Sequence, residues 1–361
     1  MASTEDDARR QQQHLMGRMA YGGLNAMRSG LGAPLSGGIG MAQTQTPKVS
    51  APKEATTVPT PVEPIIVCTP TVRNDPMTVV VVGAGGTGAR VVPPIAQMLR
   101  RQDRLVIMDH DIVEDRNLAR QHFSERDIGQ PKALVLAQRY RRQNLTPMAL
   151  VTKLTKENIV QTFQEIGSIG PRDQLVVIGC VDNNIARGVI NTALSNTTPG
   201  TSLVSVRVPS VAYIDVGNER RGGQVLLSLR SWPMTAVELG SVSNNISNCT
   251  MYPLTDAMPQ LCKPAAWMCD GCSANNEAIA TVCKSCGREP GTCGNRIDMQ
   301  TVMVNHMAAG MVINMLSWLT LGIPFSSAGA FFSTLNSIQP IRITGVNRTS
   351  GRLLVDAQFA E

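Results

Sequence analysis

Between Asp109 and Lys132 the chain reads "DHDIVEDRNLARQHFSERDIGQPK", which gathers Asp109, Asp111, Asn117, Arg120, Gln121 and Lys132 into one polar connection. Two cations among acids and amides suit phosphate chemistry. Arg120 and Lys132 can neutralise phosphate oxygens and stabilise negative charge developing at a phosphorus atom. Upstream, "TVVVVGAGGTGARVV" runs from Thr78 through apolar β-formers into Gly83, Gly85, Gly86 and Gly88, and then into a helical pattern. A strand, a glycine turn and a helix N-terminus make a cradle for a phosphate-bearing nucleotide. Downstream, "VVIGCVDNNIAR" carries a further apolar run to Asp182. One carboxylate together with triphosphate oxygens is enough to hold Mg²⁺.

The glycines alone serve a dinucleotide equally well, with Asp109 on the ribose hydroxyls of NAD. Arg120 and Lys132, so close to the phosphates, favour ATP. Asp111 and Gln121 have a second reading as braces of the loop, and Arg187 reads as stabilising its own helix.

A second cluster is "WMCDGCSANNEAIATVCKSCGREP", a CxxC pair, ten residues and another CxxC pair. This spacing predicts tetrahedral Zn²⁺ held by Cys269, Cys272, Cys283 and Cys286.

The elements that must position these groups alternate. "TVVVVG", "RLVIMD", "ALVTKL" and "QLVVIGCVD" read as strands, while "ARVVPPIAQMLRR", "PKALVLAQRYRRQ" and "ENIVQTFQEIG" read as helices. Strands without a polar face belong to a parallel sheet covered by helices. The expected fold is α/β: a Rossmann-like, doubly wound, mostly parallel sheet with helices on both faces and a small zinc-ribbon insert. "TSLVSVRV", "AYIDVG" and "GQVLLSL" follow as strands, and "IRITGVNRTSGRLLVDA" closes the chain as a β-hairpin. Residues 1–60, rich in Gly, Pro, Ser, Thr and Gln, read as a disordered low-complexity tail. Residues 61–361 form the domain, with 265–290 inserted as the zinc module.

The bulk properties set outer limits. The 361 residues are 43% hydrophobic and 17% charged with a net charge of +6, a globular composition that fits ATP or an acidic partner without demanding either. Aromatics at 4% are too few for a nucleic-acid stacking surface, so no nucleic-acid partner is expected. Nine cysteines without a visible secretory signal imply reduced thiols and a cytoplasmic protein. "VMVNHMAAGMVINMLSWLTLGI" has the length of a membrane span, but Asn305, His306 and Asn314 make it a helix buried within the protein, and no membrane association is expected.

"GAGGTG", "DHDIVEDRNLARQ", "IGQPK" and "CVDNNIAR", in this order across residues 77–190, resemble the ThiF/MoeB/ubiquitin-activating-enzyme superfamily. "AYIDVGNERRGGQVLL" and "CGNRIDMQTVMVNHMAAGMVINML" look most like the ThiF-type proteins of bacterial PRTRC gene clusters. The cysteine segment, with Trp267 and Asn276, resembles the Ran-binding type of zinc finger, whose members bind ubiquitin or single-stranded RNA. The resemblance implies Gly83, Gly85, Gly86 and Gly88 for nucleotide approach and Asp109 for the ribose. It implies Asn117, Arg120 and Lys132 for the phosphates and Asp182 for Mg²⁺, with Asp111 and Gln121 beside them.

It further implies ATP-dependent adenylation of the C-terminal glycine carboxylate of a ubiquitin-like protein, followed by thioester transfer to a cysteine and then to a conjugating-enzyme-like partner. Cys293 is the first candidate, ahead of Cys249 and Cys262. It precedes the long helix where relatives show "SCxE", although the acid is missing here. Cys180 reads as a packing residue. Relatives often draw an additional Arg from an N-terminal helix of a second subunit, which implies a homodimer and offers Arg9, Arg10 and Arg18 as donors. A non-catalytic scaffold of this fold, or adenylation of a small-molecule or tRNA-borne carboxylate, are the alternative functions.

Overall fold

A strand that is apolar at every position must be covered on both faces. After a first strand, β1 (Ile66–Pro70), the run β2 (Met77–Val82) is buried at all six positions. The computed structural model describes residues 65–167, 172–194, 210–218, 222–239, 246–251, 267–268, 275–276, 284–287, 302–333, 338–347 and 352–355. In it β2 pairs in parallel with β3 (Arg104–Met108), and β3 with the short β4 (Met148–Leu150). On its other side β2 pairs in parallel with β5 (Gln174–Gly179), again buried throughout, and β5 with β6 (Ser210–Asn218). The spatial order is therefore β6-β5-β2-β3-β4.

Five helices join these strands: α1 (Gly88–Met98), the short α2 (Asp115–Leu118), α3 (Lys132–Arg139), α4 (Ile159–Glu165) and α5 (Asn184–Leu194). Crossovers between parallel strands are right-handed. The steps from β2 outward to β4 thus put α1 and α3 on one face, and the return through β5 to β6 puts α4 and α5 on the other. The winding reverses between β2 and β5. Ligands of open α/β sheets bind at such a switch point, beyond the carboxyl ends of the strands. The glycine loop follows β2, and Asp182 follows β5. Topology alone brings them to one place.

Beyond β6 the sheet turns antiparallel. β7 (Gly222–Arg230) follows β6 after three residues, far fewer than a parallel crossover needs. β8 (Trp232–Glu238) and β9 (Ile246–Met251) come next in the chain, and β10 (Trp267–Met268) and β11 (Asn275–Asn276) form a separate two-stranded pair. Then come α6 (Val302–Leu321), β12 (Ser327–Ser333), β13 (Gln339–Asn347) and β14 (Arg352–Val355). Among the described residues twelve strands make one sheet, in which the expected closing hairpin is β13–β14. The expected strand "TSLVSVRV" and the tail 1–60 lie outside the described residues.

By length and hydropathy α6 could cross a membrane. It packs instead on α1, β1, β6 and β7, burying Val304, Ala308, Val312, Leu316 and Leu319, so it is a core helix.

At the amino ends of β2 and β3, Asp103 anchors the sheet. Its carboxylate accepts from both Arg73 guanidinium nitrogens at 2.7 and 2.8 Å, from the Met77 N–H at 3.0 Å and from the Arg100 N–H at 2.7 Å. Burial works against its charge, but these donors outweigh it and hold the carboxyl below its usual range. Asp103→Asn should cost about 3–5 kcal/mol, the usual loss when one member of a buried ion pair is removed. The native contribution is complete above the ordinary carboxylate pKa and is lost as pH falls through the depressed folded value. Urea unfolding should therefore show the gap between wild type and variant closing in acid; a gap that stays constant with pH would contradict the ion-pair role.

Candidate functional site

The loop between β2 and α1 is fixed by what it touches. Gly83 has φ +93°, a conformation other residues rarely adopt, and a Cβ there would stand 2.6 Å from the Cys180 carbonyl oxygen. A Cβ on Gly88 would strike the Gly83 carbonyl. Gly85 is different: the nearest atom to its Cβ position is Gln121 Nε2 at 4.0 Å, ordinary contact distance, so nothing presses on the loop at this point. Ala84 gives its N–H to Asp109 and Ala89 gives its own to Gly85. Among the described residues the N–H groups of Gly85, Gly86 and Thr87 are left without a protein acceptor. Three unclaimed N–H groups ahead of a helix N-terminus make an anion-binding concavity.

Asp109 is buried at the end of β3. Its carboxylate accepts from Ala84 N–H at 2.5 Å and Asp111 N–H at 2.8 Å, so it ties the glycine loop to the polar connection. Burial pushes its carboxyl up, against the pull of those two N–H groups and of Lys132. Lys132, the first residue of α3, is buried with its Nζ 2.9 Å from Asp111 Oδ2. Partial burial raises Asp111, but the Lys132 bond and charge more than offset this and hold it low. Asp111 therefore carries out the bracing role: it aims the lysine. Asn117 also has a structural task, since its Oδ1 accepts the Glu114 N–H at 2.9 Å in a capping box for α2. Arg120 is buried, and Gln121 extends its carboxamide over Gly85.

Arg90, in the first turn of α1, is a residue that sequence reading missed. One guanidinium nitrogen donates to the Gly86 carbonyl at 2.6 Å and to the Arg120 carbonyl at 2.7 Å. It staples the glycine loop to the segment that carries Arg120 and Gln121. A cation in the first turn of a helix opposes the macrodipole, and that is the signal that could have found it. Burial pushes its pKa down from the ordinary arginine value.

From the β5 side, the Cys180 N–H bonds the Val82 carbonyl at 2.7 Å, and the chain then exposes Asp182. Asn183 donates to Asp182 Oδ1 at 3.3 Å and accepts the Ala186 N–H at 2.8 Å, which fixes the start of α5. Arg187 is buried on Asp215, with Nε 2.8 Å from Oδ1, while Tyr213 donates to the same oxygen at 2.8 Å. Its role is the structural one expected: it clamps α5 to β6. Burial of the Cys180 sulfur, reinforced by the Asp215 charge, pushes the thiol far up. A thiol held neutral is a poor nucleophile, so Cys180 fits a packing role.

Cys293, Cys262 and three of the four expected zinc ligands, Cys269, Cys272 and Cys283, lie outside the described residues. Cys286 is exposed. Around them Trp267 pairs with Asn276, and Asn276 Oδ1 accepts the Lys284 N–H at 2.9 Å. That bond links the hairpin beside the first cysteine pair to the turn between the last two cysteines.

A glycine loop with unclaimed N–H groups at the switch point of a parallel sheet, with buried cations after β3 and an exposed acid after β5, defines a nucleotide-binding domain of Rossmann type. The ThiF family model matches residues 73–334, and the chain belongs to the ThiF family. It is 37% identical over 122 residues to the zebrafish (Danio rerio) adenylyltransferase and sulfurtransferase MOCS3, a match covering 32% of this chain and 24% of that protein. It is 28% identical over 181 residues to the NEDD8-activating enzyme E1 catalytic subunit of Saccharomyces cerevisiae, covering 48% of this chain and 56% of that one. A sulfur carrier protein adenylyltransferase of Thermus thermophilus is 36% identical over 123 residues, covering 32% and 40%. The chain thus matches between a quarter and little over half of the length of these relatives.

The Cys180 thiol yields a direct check. In the native protein at mildly alkaline pH, iodoacetamide should leave the Cys180 peptide unmodified in a mass spectrum, and denaturation should release it for alkylation. Native modification at the rate of a free thiol would contradict this placement.

Proposed function

We propose that the chain is an ATP-dependent adenylating enzyme acting on the C-terminal glycine carboxylate of a ubiquitin-like carrier protein. What supports this reading is a glycine loop with three unclaimed N–H groups at the switch point, tied through Asp109 to the connection that holds the Lys132–Asp111 pair and through Arg90 to the Arg120 backbone, with Asp182 following β5 at the same end of the sheet. Adenylyltransferase relatives support the reaction class.

A carboxylate is a poor electrophile until it gains a better leaving group. One carboxylate oxygen of the carrier attacks the α-phosphorus, the bond from that phosphorus to pyrophosphate breaks, and pyrophosphate departs with the electron pair. No proton need move, because attacking oxygen and leaving group are both anionic. The site's task is positioning and charge stabilisation. The loop N–H groups receive phosphate oxygens, and Lys132 and Arg120 offset the charge that builds on the departing group. Asp109, bound to the loop backbone, faces the ribose. Asp182, exposed and acidic beyond β5, suits Mg²⁺, which would draw the phosphate oxygens together when bound.

The finer assignments follow the same reading. The Cys293 thiolate attacks the acyl carbon, the bond from that carbon to the adenylate oxygen breaks and AMP leaves with the electron pair. The thioester then passes to a conjugating-enzyme-like partner, and the protein works in the cytoplasm as a homodimer of the PRTRC-related type. Cys269, Cys272, Cys283 and Cys286 hold structural Zn²⁺ in a Ran-binding-type finger. The Asn276–Lys284 bond fits that arrangement, because it joins segments that neighbour the two cysteine pairs in sequence.

Two measurements test these points. ATP–pyrophosphate exchange should require a small β-grasp carrier ending in glycine and fall by about 10²–10³-fold in Lys132→Ala, Arg120→Ala and Asp182→Ala. Exchange that survives all three would contradict the site. Elemental analysis should find about one zinc per chain, lost in Cys283→Ser together with thermal stability of the insert. A zinc-free wild type of unchanged stability would remove the metal from the account.

A further inference from the structure

One polar side chain in the core of α6 has no place in the chemistry above. Asn305 is fully buried in an otherwise apolar stretch of helix. Its Oδ1 accepts from Thr87 Oγ1 at 3.1 Å and from Asn218 Nδ2 at 3.0 Å, and Asn218 also donates to Thr87 Oγ1. Its Nδ2 is buried without a hydrogen-bond partner. A buried donor left unsatisfied costs about 1–3 kcal/mol, a cost that the apolar residues around it in α6 do not carry.

What the asparagine holds is the nucleotide loop. Thr87 stands at the N-cap of α1, where a threonine hydroxyl ordinarily accepts a helix N–H, but it makes no such bond and is turned to Asn305 instead. Gly86 is packed flat against the same carboxamide. A Cβ on Gly86 would stand 2.5 Å from Asn305 Nδ2 and 2.9 Å from Cγ. Gly86 and Thr87 supply two of the three unclaimed loop N–H groups, and both are fixed from behind by this one side chain. The unpaired Nδ2 hydrogens also add positive potential behind the loop, where it favours an anion.

We propose that Asn305 is a positioning residue for the triphosphate. Acting through Gly86 and Thr87, and aided by Asn218, it sets the loop N–H groups in the arrangement that grips phosphate oxygens. The identity of the ligand rests on the adenylation reading; the mechanical role does not. The fit between Asn305 and Gly86 is one of shape, so it has a distinctive consequence. The methyl group that Gly86→Ala adds has no room in the native chain but has room once Asn305 is truncated.

The test is a double-mutant cycle on the full chain, with ATP and adenosine binding measured by calorimetry and loop amide exchange measured without ligand. Asn305→Ala should weaken ATP about tenfold and leave adenosine within about twofold, because only the phosphate grip is disturbed. Gly86→Ala should weaken ATP by at least about tenfold in the native background and by much less in the Asn305→Ala background. Amides of Gly85 to Thr87 should exchange faster in Asn305→Ala. Unchanged ATP affinity with a lowered melting temperature, or effects of the two substitutions that simply multiply, would overturn the proposal. If wild type binds no ATP, the adenylation reading falls, and loop exchange decides the positioning role: faster exchange in Asn305→Ala upholds it, unchanged exchange overturns it.

Discussion

The glycine loop has no freedom to be elsewhere. The Gly83 position abuts the Cys180 carbonyl, the Gly88 position abuts the Gly83 carbonyl, and the Gly86 position abuts the Asn305 carboxamide. A side chain at any of the three would push the loop off the end of the sheet. With those three positions closed, only Gly85 of the four glycines has a neighbour no nearer than ordinary contact, and the unclaimed N–H groups lie beside it. Asp109 and Arg90 tie this loop to the segment that follows β3. Preorganised donors of this kind stabilise charge without having to reorganise when it develops.

Holding cations near such a loop raises an electrostatic difficulty, because buried charge is costly unless paired. The structure meets it by pairing Lys132 with Asp111, whose side chain is half exposed, so that the lysine is held in place and its partner remains hydrated. The Arg90 guanidinium is spent on two backbone carbonyls and has a structural function. Asp109 places a buried carboxylate against two backbone N–H groups, which fixes the spacing between the β2 and β3 ends of the site. The fully buried Arg187–Asp215 pair does the same for α5 and β6. Arg90, Asp109 and the Arg187–Asp215 pair thus each fix a backbone segment beside the loop or its neighbouring strands.

The parallel half of the fold was legible because β2 and β5 have no polar face and a covered parallel sheet is the natural home for such strands. The placement of Asp109, Lys132 and Asp182 at the carboxyl end of that sheet was legible, because each follows a strand or opens a helix there. The additional tasks of Asp111, which aims the lysine, and Asn117, which caps α2, came only with the coordinates. Asn305 and Asn218 were not readable as site residues, since they meet Thr87 across 218 and 131 positions of chain and α6 reads only as apolar. The antiparallel half was anticipated at its closing hairpin but not in its extent, since the pairing of β1 with β8 joins segments far apart in sequence.

Adenylation makes a statement about a single oxygen atom. If the carrier's terminal carboxylate is prepared with heavy oxygen and the acyl-adenylate is then discharged to a thiol or amine, the AMP released should carry one labelled oxygen taken from the carrier. Unlabelled AMP, or ADP and phosphate in its place, would show that the loop and its cations serve some other cleavage of the triphosphate, and the central claim would fail.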